Sequence, residues 1–385
     1  MTRNGNEYDV IIIGAGSMGT SACYQLAKRG IRVLGLEQFD RVHEFGSHTG
    51  QSRIIRKAYY EHADYVPLLR RSYELWKELE LATRTKLYYK TGILYFGDQD
   101  DPVLKGVKYA ADSYDVVIDT NPLTETKGFD HIGNIPPGMH SIFEPDAGFV
   151  LPEETIRQYS KSAQEYGAVI RYREPVVSWS EGNSGFEVKT NSQTFSCQKL
   201  VFTAGSWTSK LIRKYIPDLK VTEQLLTWFF PQDQQTFDIS RMPCWFISDK
   251  KFGLLYGFPG FTDQQGNFSG VKMARHLPGE IVDPDKRSFT TNHAEMELIR
   301  QFVSAYFPKL RDAVVHTKNC LYTNSPDENF IIDFLPEANN NILIACGFSG
   351  HGFKFVPVIG EIIADMIEKK STDLPVDFLS LKRFV

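Results

Sequence analysis

The chain has 385 residues, 42% hydrophobic and 23% charged, a globular composition long enough for two joined domains. A net charge of −4 argues against a general nucleic-acid or membrane-surface binder, while leaving local basic clusters free to meet an anionic ligand. Five cysteines, Cys23, Cys197, Cys244, Cys320 and Cys346, form no C-x-x-C pair and no zinc spacing, so neither a disulfide scaffold nor a metal site is expected.

The first ten residues are polar and run directly into a strand, without the pattern of a cleavable signal. No apolar run approaches the roughly 20 residues that span a bilayer, and the ending SLKRFV is no peroxisomal tripeptide. A cytoplasmic location follows as the expectation.

Residues 8–13 (YDVIII) have the β-branched character of a strand buried on both faces. They stop at Gly14-Ala15-Gly16-Ser17-Met18-Gly19, and helical spacing follows. A second apolar strand, IRVLGLE, ends on Glu37, 23 positions after Gly14. Strand, G-x-G-x-x-G, helix, strand and acid in this order predict a dinucleotide site. Gly14 permits the turn, Gly16 lets a pyrophosphate approach, and Gly19 lets the helix pack on the strand. Glu37 is placed to accept ribose hydroxyls and would repel a 2′-phosphate, which disfavours NADP; the motif does not choose between NAD and FAD.

Arg53 and Arg56 follow in an aromatic-rich stretch, GSHTGQSRIIRKAYYEH. A solvated helix face would explain two arginines three apart, but apolar Ile54, Ile55 and Ala58 point to at least one guanidinium in a cleft. Residues 61–150 alternate helix-like and strand-like pieces, and SIFEPDAGFV predicts a hairpin-like turn before a helix and a strand. REPVVSW, containing Val176, is expected as another strand of the nucleotide domain. KLVFTAGSWTSKLI repeats strand, small-residue turn and helix around Gly205 and Trp207.

From about residue 215 to 315, polar–aromatic alternations such as LLTWFFPQ and GLLYGFPGF predict an antiparallel sheet. Lys272 and His276 stand four apart there, on one face if the segment is a strand; a solvent-facing pair is the simpler explanation. The C-terminal block runs NCLYTNSPDENFIIDFLP, a strand NILIAC, and GFSGHGFKF, which opens a helix. Lys354 falls just inside that helix after Gly347, Gly350 and Gly352. The expected fold is α/β of mixed α+β character: a Rossmann-like domain (residues 1–84, 151–214 and 316–385) interleaved with an antiparallel-sheet substrate domain (85–150 and 215–315).

Taken together, IIIGAGSMG, GSHTGQSRIIRKAY, TAGSW, YGFP, the Lys272–His276 pair, CLYTNSPDENFIID and GFSGHGFKF resemble the monomeric sarcosine oxidase family, which includes N-methyltryptophan and pipecolate oxidases. The resemblance runs nearly end to end. It implies a two-domain flavoprotein whose FAD is attached covalently through the sulfur of Cys320. Arg56 and Lys354 resemble the cations that bind the substrate carboxylate. Lys272 resembles the lysine at which oxygen is activated, where a cation stabilises developing negative charge. His276 and Tyr322 resemble residues at the amine end, Arg53 the arginine beside the flavin, and Tyr256 part of the aromatic wall. Cofactor contacts are expected from Gly14, Gly16, Ser17, Met18, Gly19, Glu37, His48, Arg53, Val176, Gly205 and Trp207, and from Gly347, Phe348, Gly350, His351, Gly352 and Lys354.

The implied reaction is oxidative demethylation of an N-methyl α-amino acid, releasing formaldehyde and hydrogen peroxide, by a monomer that needs only the small amine and oxygen. A cyclic imino acid such as pipecolate or proline is the alternative substrate. From other classes, an NAD-dependent dehydrogenase would share only the fingerprint, and a flavin-binding scaffold would lack turnover. The chain departs from the family at Thr49 and Gln51, where histidine and aspartate are usual, and in the AYYEH stretch. Its loop between Tyr256 and Lys272 is longer, and Cys346 stands where alanine or glycine is common. These differences bear on the pocket rather than on the chemistry.

Overall fold

The run at Glu7–Ile13 becomes a central strand of an eight-stranded sheet in a computed structural model that describes residues 6–120, 135–182, 185–263, 266–276, 279–338 and 340–384. Residues 1–5, part of the 85–150 segment (121–134) and part of the 256–272 loop (264–265) were read from the sequence and lie outside the described residues. Glu7–Ile13 pairs in parallel with Val33–Leu36 on one side and Thr194–Phe202 on the other. Alternate side chains then enter different cores: Val10 and Ile12 pack against the helices, while Ile11 and Ile13 join Leu34, Phe202 and Ile344 on the opposite face. Burial on both faces is why this strand is apolar at every position rather than every second one. Helix Ser17–Lys28 rises from the glycine turn and packs against Pro152–Glu165 and Val356–Lys369.

A second eight-stranded sheet runs, in spatial order, Glu280–Ile281, Lys220–Phe230, Val271–Arg275, Gly253–Phe258, Cys244–Asp249, Ile93–Gly97 and His140–Glu144, with Val314–Asn324 also paired to Lys220–Phe230. Helix His293–Tyr306 covers it, burying Ile299 and Phe302 against Trp245 and Met273. The mixed α/β class expected from the sequence is the observed one. The sheet is antiparallel except where Ile93–Gly97 enters parallel to Cys244–Asp249. Among the described residues no helix is long and apolar enough to cross a membrane.

Three local expectations differ. The predicted hairpin at 141–150 does not form: His140–Glu144 pairs with Ile93–Gly97, whereas Gly148–Val150 joins Arg53–Ile55 and Tyr88–Tyr89 in a separate three-stranded sheet. The intervening acids explain the parting. Glu144 accepts the backbone N–H groups of Lys57 and Ala58 at 2.6 and 3.2 Å, and Asp146 pairs with Lys57 and Lys90. Gly148 lies against its neighbour so closely that a Cβ would fall 1.9 Å from the Tyr89 carbonyl oxygen. Second, Val314–Asn324 pairs along its whole length with Lys220–Phe230, so the strand crosses residue 316 and Cys320 rides on the second sheet. Third, Lys354 sits in the 3-10 turn Phe353–Phe355, one step before helix Val356–Lys369.

Candidate active site

A cavity of about 450 Å³ runs between the two large sheets, from the glycine turn to an aromatic, cationic end. At the first end, Gly14 adopts φ +98°, and a Cβ there would strike Ala204 Cα at 2.6 Å. A Cβ on Gly19 would lie 2.1 Å from the Gly14 carbonyl oxygen, so neither position admits a side chain. Gly16 faces open space, and the helix that begins at Ser17 has no side-chain cap. Its first N–H groups and its positive dipole end are therefore left for a ligand phosphate. Glu37 lines the same end, one oxygen accepting from Phe39 N at 3.0 Å, and burial pushes its carboxyl up to about 7. Hydroxyl donors would return it to the carboxylate. These features fit the adenosine and pyrophosphate of a dinucleotide. Met18, His48, Val176, Gly205, Trp207, Gly347, Phe348, Gly350, His351 and Gly352 also line the cavity. Gly19 and Cys320 are not on its wall.

The other end holds two buried cations. Arg56, 1% exposed, lies beneath the rings of Tyr59 and Tyr60 at 4.2 and 4.3 Å. Its Nη1 donates to Ala58 O, and its Nη2 donates to both oxygens of Glu61 at 2.6 and 2.5 Å. Its Nε is buried with no hydrogen-bond partner among the described residues. Burial pushes the Glu61 carboxyl up, but Arg56, His351 and Lys354 together outweigh it and the result is about 2. Lys354, 5% exposed, donates to His351 O at 2.8 Å and stands 5.0 Å from the Tyr59 ring centre. Ser72 and Trp76 on helix Tyr65–Thr83 both donate to the Lys354 carbonyl, which fixes the turn that aims the amine. Burial and the nearby Arg56 bring Lys354 down to about 7. Neither cation is a solvated surface group.

Between these ends lie His276, Tyr322 and Tyr256. His276 Nδ1 and the Tyr256 hydroxyl each stand 3.4 Å from the Tyr322 hydroxyl, and burial pushes His276 down to about 4, so its ring is neutral. Gly350 at φ +78° makes room for Tyr322; a Cβ would sit 2.3 Å from the ring. Arg53 reaches the cavity wall while donating to the carbonyls of Ser47, Thr49 and Ser52. Lys272 stands behind that wall rather than on it, 2% exposed, donating to Gly50 O at 2.7 Å and Ser52 O at 2.6 Å. Strand Val271–Arg275 directs it inward, with Phe258 4.6 Å away, so the solvent-facing explanation fails. Cys320 is buried in the cluster that contains Tyr256 and Tyr322. Burial pushes its thiol up, while Arg53, Lys272 and Arg287 pull it down.

Sequence reasoning missed Glu61 and the ring of Tyr59. Both lie in AYYEH, noted only as a departure; an acid five residues after a buried arginine was the available signal. It also missed the His351 link, in which Tyr59 Oη is 2.6 Å from Nδ1 and Nε2 is 3.0 Å from Glu328 O.

Residues 9–366 match the family described as DAO, FAD-dependent oxidoreductase. The chain is 35% identical to monomeric sarcosine oxidase of Bacillus sp. (strain B-0618), covering 98% of this chain and 96% of that protein. It is 30% identical to N-methyl-L-tryptophan oxidase of Yersinia pestis (strain Pestoides F), over 98% of this chain and all of that one. Among solved structures, L-proline dehydrogenase from P. horikoshii shares the fold with a TM-score of 0.85 at 23% identity, covering 98% of both chains. The amino acid oxidase NikD does so with a TM-score of 0.84 at 24% identity, covering 97% of both.

Proposed function

The chain belongs to the DAO family of FAD-dependent oxidoreductases, and on that premise we propose that it oxidises the C–N bond of a small N-methyl α-amino acid. The amine, oxygen and water give the free amino acid, formaldehyde and hydrogen peroxide. FAD, when bound, supplies the electron acceptor and passes the electrons to oxygen.

One observation carries the reading: two cations, Arg56 and Lys354, are buried in an aromatic cavity continuous with the dinucleotide turn. A planar fork and an ammonium suit a carboxylate. They also disfavour a third cation, so the substrate amine binds with its lone pair free, the form that has electrons to release. Neutral His276 and the two tyrosine hydroxyls accept and donate at the amine end without adding charge. The relatives named for sarcosine and N-methyl-L-tryptophan support the substrate class. A cytoplasmic enzyme acting as a monomer completes the reading. Oxygen uptake with sarcosine, N-methyltryptophan, pipecolate, proline and fructosyl amino acids, paired with a formaldehyde assay, tests it. Uptake with an N-methyl substrate and matching formaldehyde is expected; uptake confined to pipecolate or proline, without formaldehyde, selects the cyclic imino acid instead.

The reading includes covalent attachment of FAD through Cys320. Burial holds Cys320 as the thiol, and the three cations around it oppose burial and ease ionisation to the thiolate, which is the nucleophilic form. Cys346 lacks that surrounding, and burial pushes it to about 12. Acid precipitation should leave yellow colour in the pellet. Cys320→Ala should move it to the supernatant, and Cys346→Ala should not. Colour wholly in the wild-type supernatant would remove covalent attachment.

A further inference from the structure

The carboxylate of Glu153 touches neither the glycine turn nor the cationic pocket, yet it is bonded to the loop that holds Lys272. It is the second residue of helix Pro152–Glu165. One of its oxygens accepts from Gly50 N at 2.8 Å and from Gln51 N at 3.1 Å. Gly50 and Gln51 have φ of +114° and +65°, a backbone that a side-chain-bearing residue such as Gln51 adopts only when it is held. A second tether comes from Trp228, whose Nε1 donates to Gln51 Oε1 at 2.9 Å. The same short turn presents Gly50 O and Ser52 O to the Lys272 amine. The turn is thin. A Cβ on Gly50 would lie 3.4 Å from Lys272 Nζ and 2.6 Å from Leu226 Cδ1. Gly50, Gln51 and Glu153 also line a separate cavity of about 160 Å³ together with Trp228 and His316.

The geometry points to Glu153 as the positioning residue of the Lys272 ammonium: it fixes the 50–52 turn whose carbonyls hold the amine and supplies its counter-charge. The groups facing Lys272 leave that part to Glu153. Phe258 and Trp228 present rings. Cys244, pushed by burial to about 12, and Cys320, also raised, are neutral thiols. Arg53 is a like charge on the same turn. Burial first, and Arg53 second, lower the Lys272 pKa well below the usual lysine value; Cys320, Glu153 and Cys244 oppose them, and with both thiols protonated only Glu153 does so as a charge. Beyond the turn, Lys318 on the outer cavity is itself paired with Glu44. At the start of a helix the carboxylate is in turn stabilised by the dipole.

The kinetic part of this inference rests on the proposal that Lys272 serves the oxygen half-reaction; the titration part does not. Holoenzyme labelled with [ε-13C]lysine reports the Lys272 midpoint by carbon NMR, with assignment by Lys272→Met. Glu153→Gln should lower that midpoint by about one unit, the lower end of what an opposite charge at close range contributes. Reoxidation of reduced enzyme should then begin to fail about one pH unit lower, while reduction by substrate stays unchanged. Glu153→Asp, which keeps the charge but shortens the reach to Gly50 and Gln51, should hold the midpoint and slow reoxidation several-fold. It decides the matter if the glutamine variant does not fold. An unmoved midpoint in Glu153→Gln, or unaltered reoxidation in Glu153→Asp, overturns the proposal. If Glu153→Gln moves the midpoint while Lys272→Met reoxidises normally, the role of Lys272 in oxygen chemistry falls and the positioning role stands.

Discussion

Lys272→Met is expected to slow reoxidation by oxygen about a hundredfold or more while changing reduction by substrate only a few-fold. A preorganised charge aimed at developing negative charge in a water-poor site is worth about 2.7–4 kcal/mol, and each 1.36 kcal/mol is about tenfold in rate. Lys272 meets the conditions for such a charge. It is 2% exposed, carbonyl acceptors at 2.7 and 2.6 Å hold it, and aromatic rings surround it. Methionine fills the volume and removes the charge. It also leaves Gly50 O and Ser52 O without their donor, at a cost of about 1–3 kcal/mol in stability. That cost lowers the melting temperature but does not distinguish one half-reaction from the other. Stopped-flow reduction and reoxidation, measured separately, therefore separate the two effects. Equal slowing of both would assign Lys272 a structural role.

The sign of the pH dependence follows from the same burial. Lys272 is cationic below its lowered pKa and neutral above it. Wild-type reoxidation should accordingly fall as pH rises, at a pH below that of an ordinary lysine, and the methionine variant should show a flat profile. A wild-type rate that increased with pH over this range would contradict a catalytic ammonium.

The dinucleotide half of the molecule was legible because its signals are local. Gly14, Gly16 and Gly19 act within one turn, Glu37 ends the adjacent strand, and double-sided burial shows in the unbroken run at 10–13. The cationic half was legible only by residue type. Arg56 and Lys354 could be named, but an acid five residues on was the one hint that Glu61 occupies the Arg56 fork, because the pairing depends on how the 56–61 loop curls back on itself. The hairpin expected near 145 failed for a related reason. Its strands were correctly apolar, yet the partners that claimed them, Ile93–Gly97 and Arg53–Ile55, lie far away in sequence. Glu153 was invisible for the same cause: its bonds run to a turn some hundred positions earlier.

The occupied fork has a consequence for binding. A carboxylate that takes the Nη2 group of Arg56 must displace Glu61 while gaining Lys354, so the observed affinity is then a difference between two anions. Glu61→Gln removes the competitor and should tighten the binding of a small carboxylate inhibitor about tenfold, read from the perturbed flavin spectrum. Arg56→Ala should weaken it by about ten- to a hundredfold, since hydrogen bonds to charged groups contribute about 1.5–3 kcal/mol. Arg56→Lys should recover only part, because a point charge does not reproduce the planar fork stacked on Tyr59 and Tyr60. Lys354 sets the pH limit. Because burial brings it down to about 7, it is cationic below that value, and the dissociation constant should be flat there. Above it the constant should rise by up to about tenfold per pH unit, as each bound anion must first recover the proton. His276 at about 4, His351 at about 3 and Glu61 at about 2 complete their titrations well below this window and do not obscure it. Lys354→Met should abolish the rise. If affinity were pH-independent from 6 to 9 in the wild type, or if sarcosine methyl ester turned over as well as sarcosine, Arg56 and Lys354 would not be holding a carboxylate.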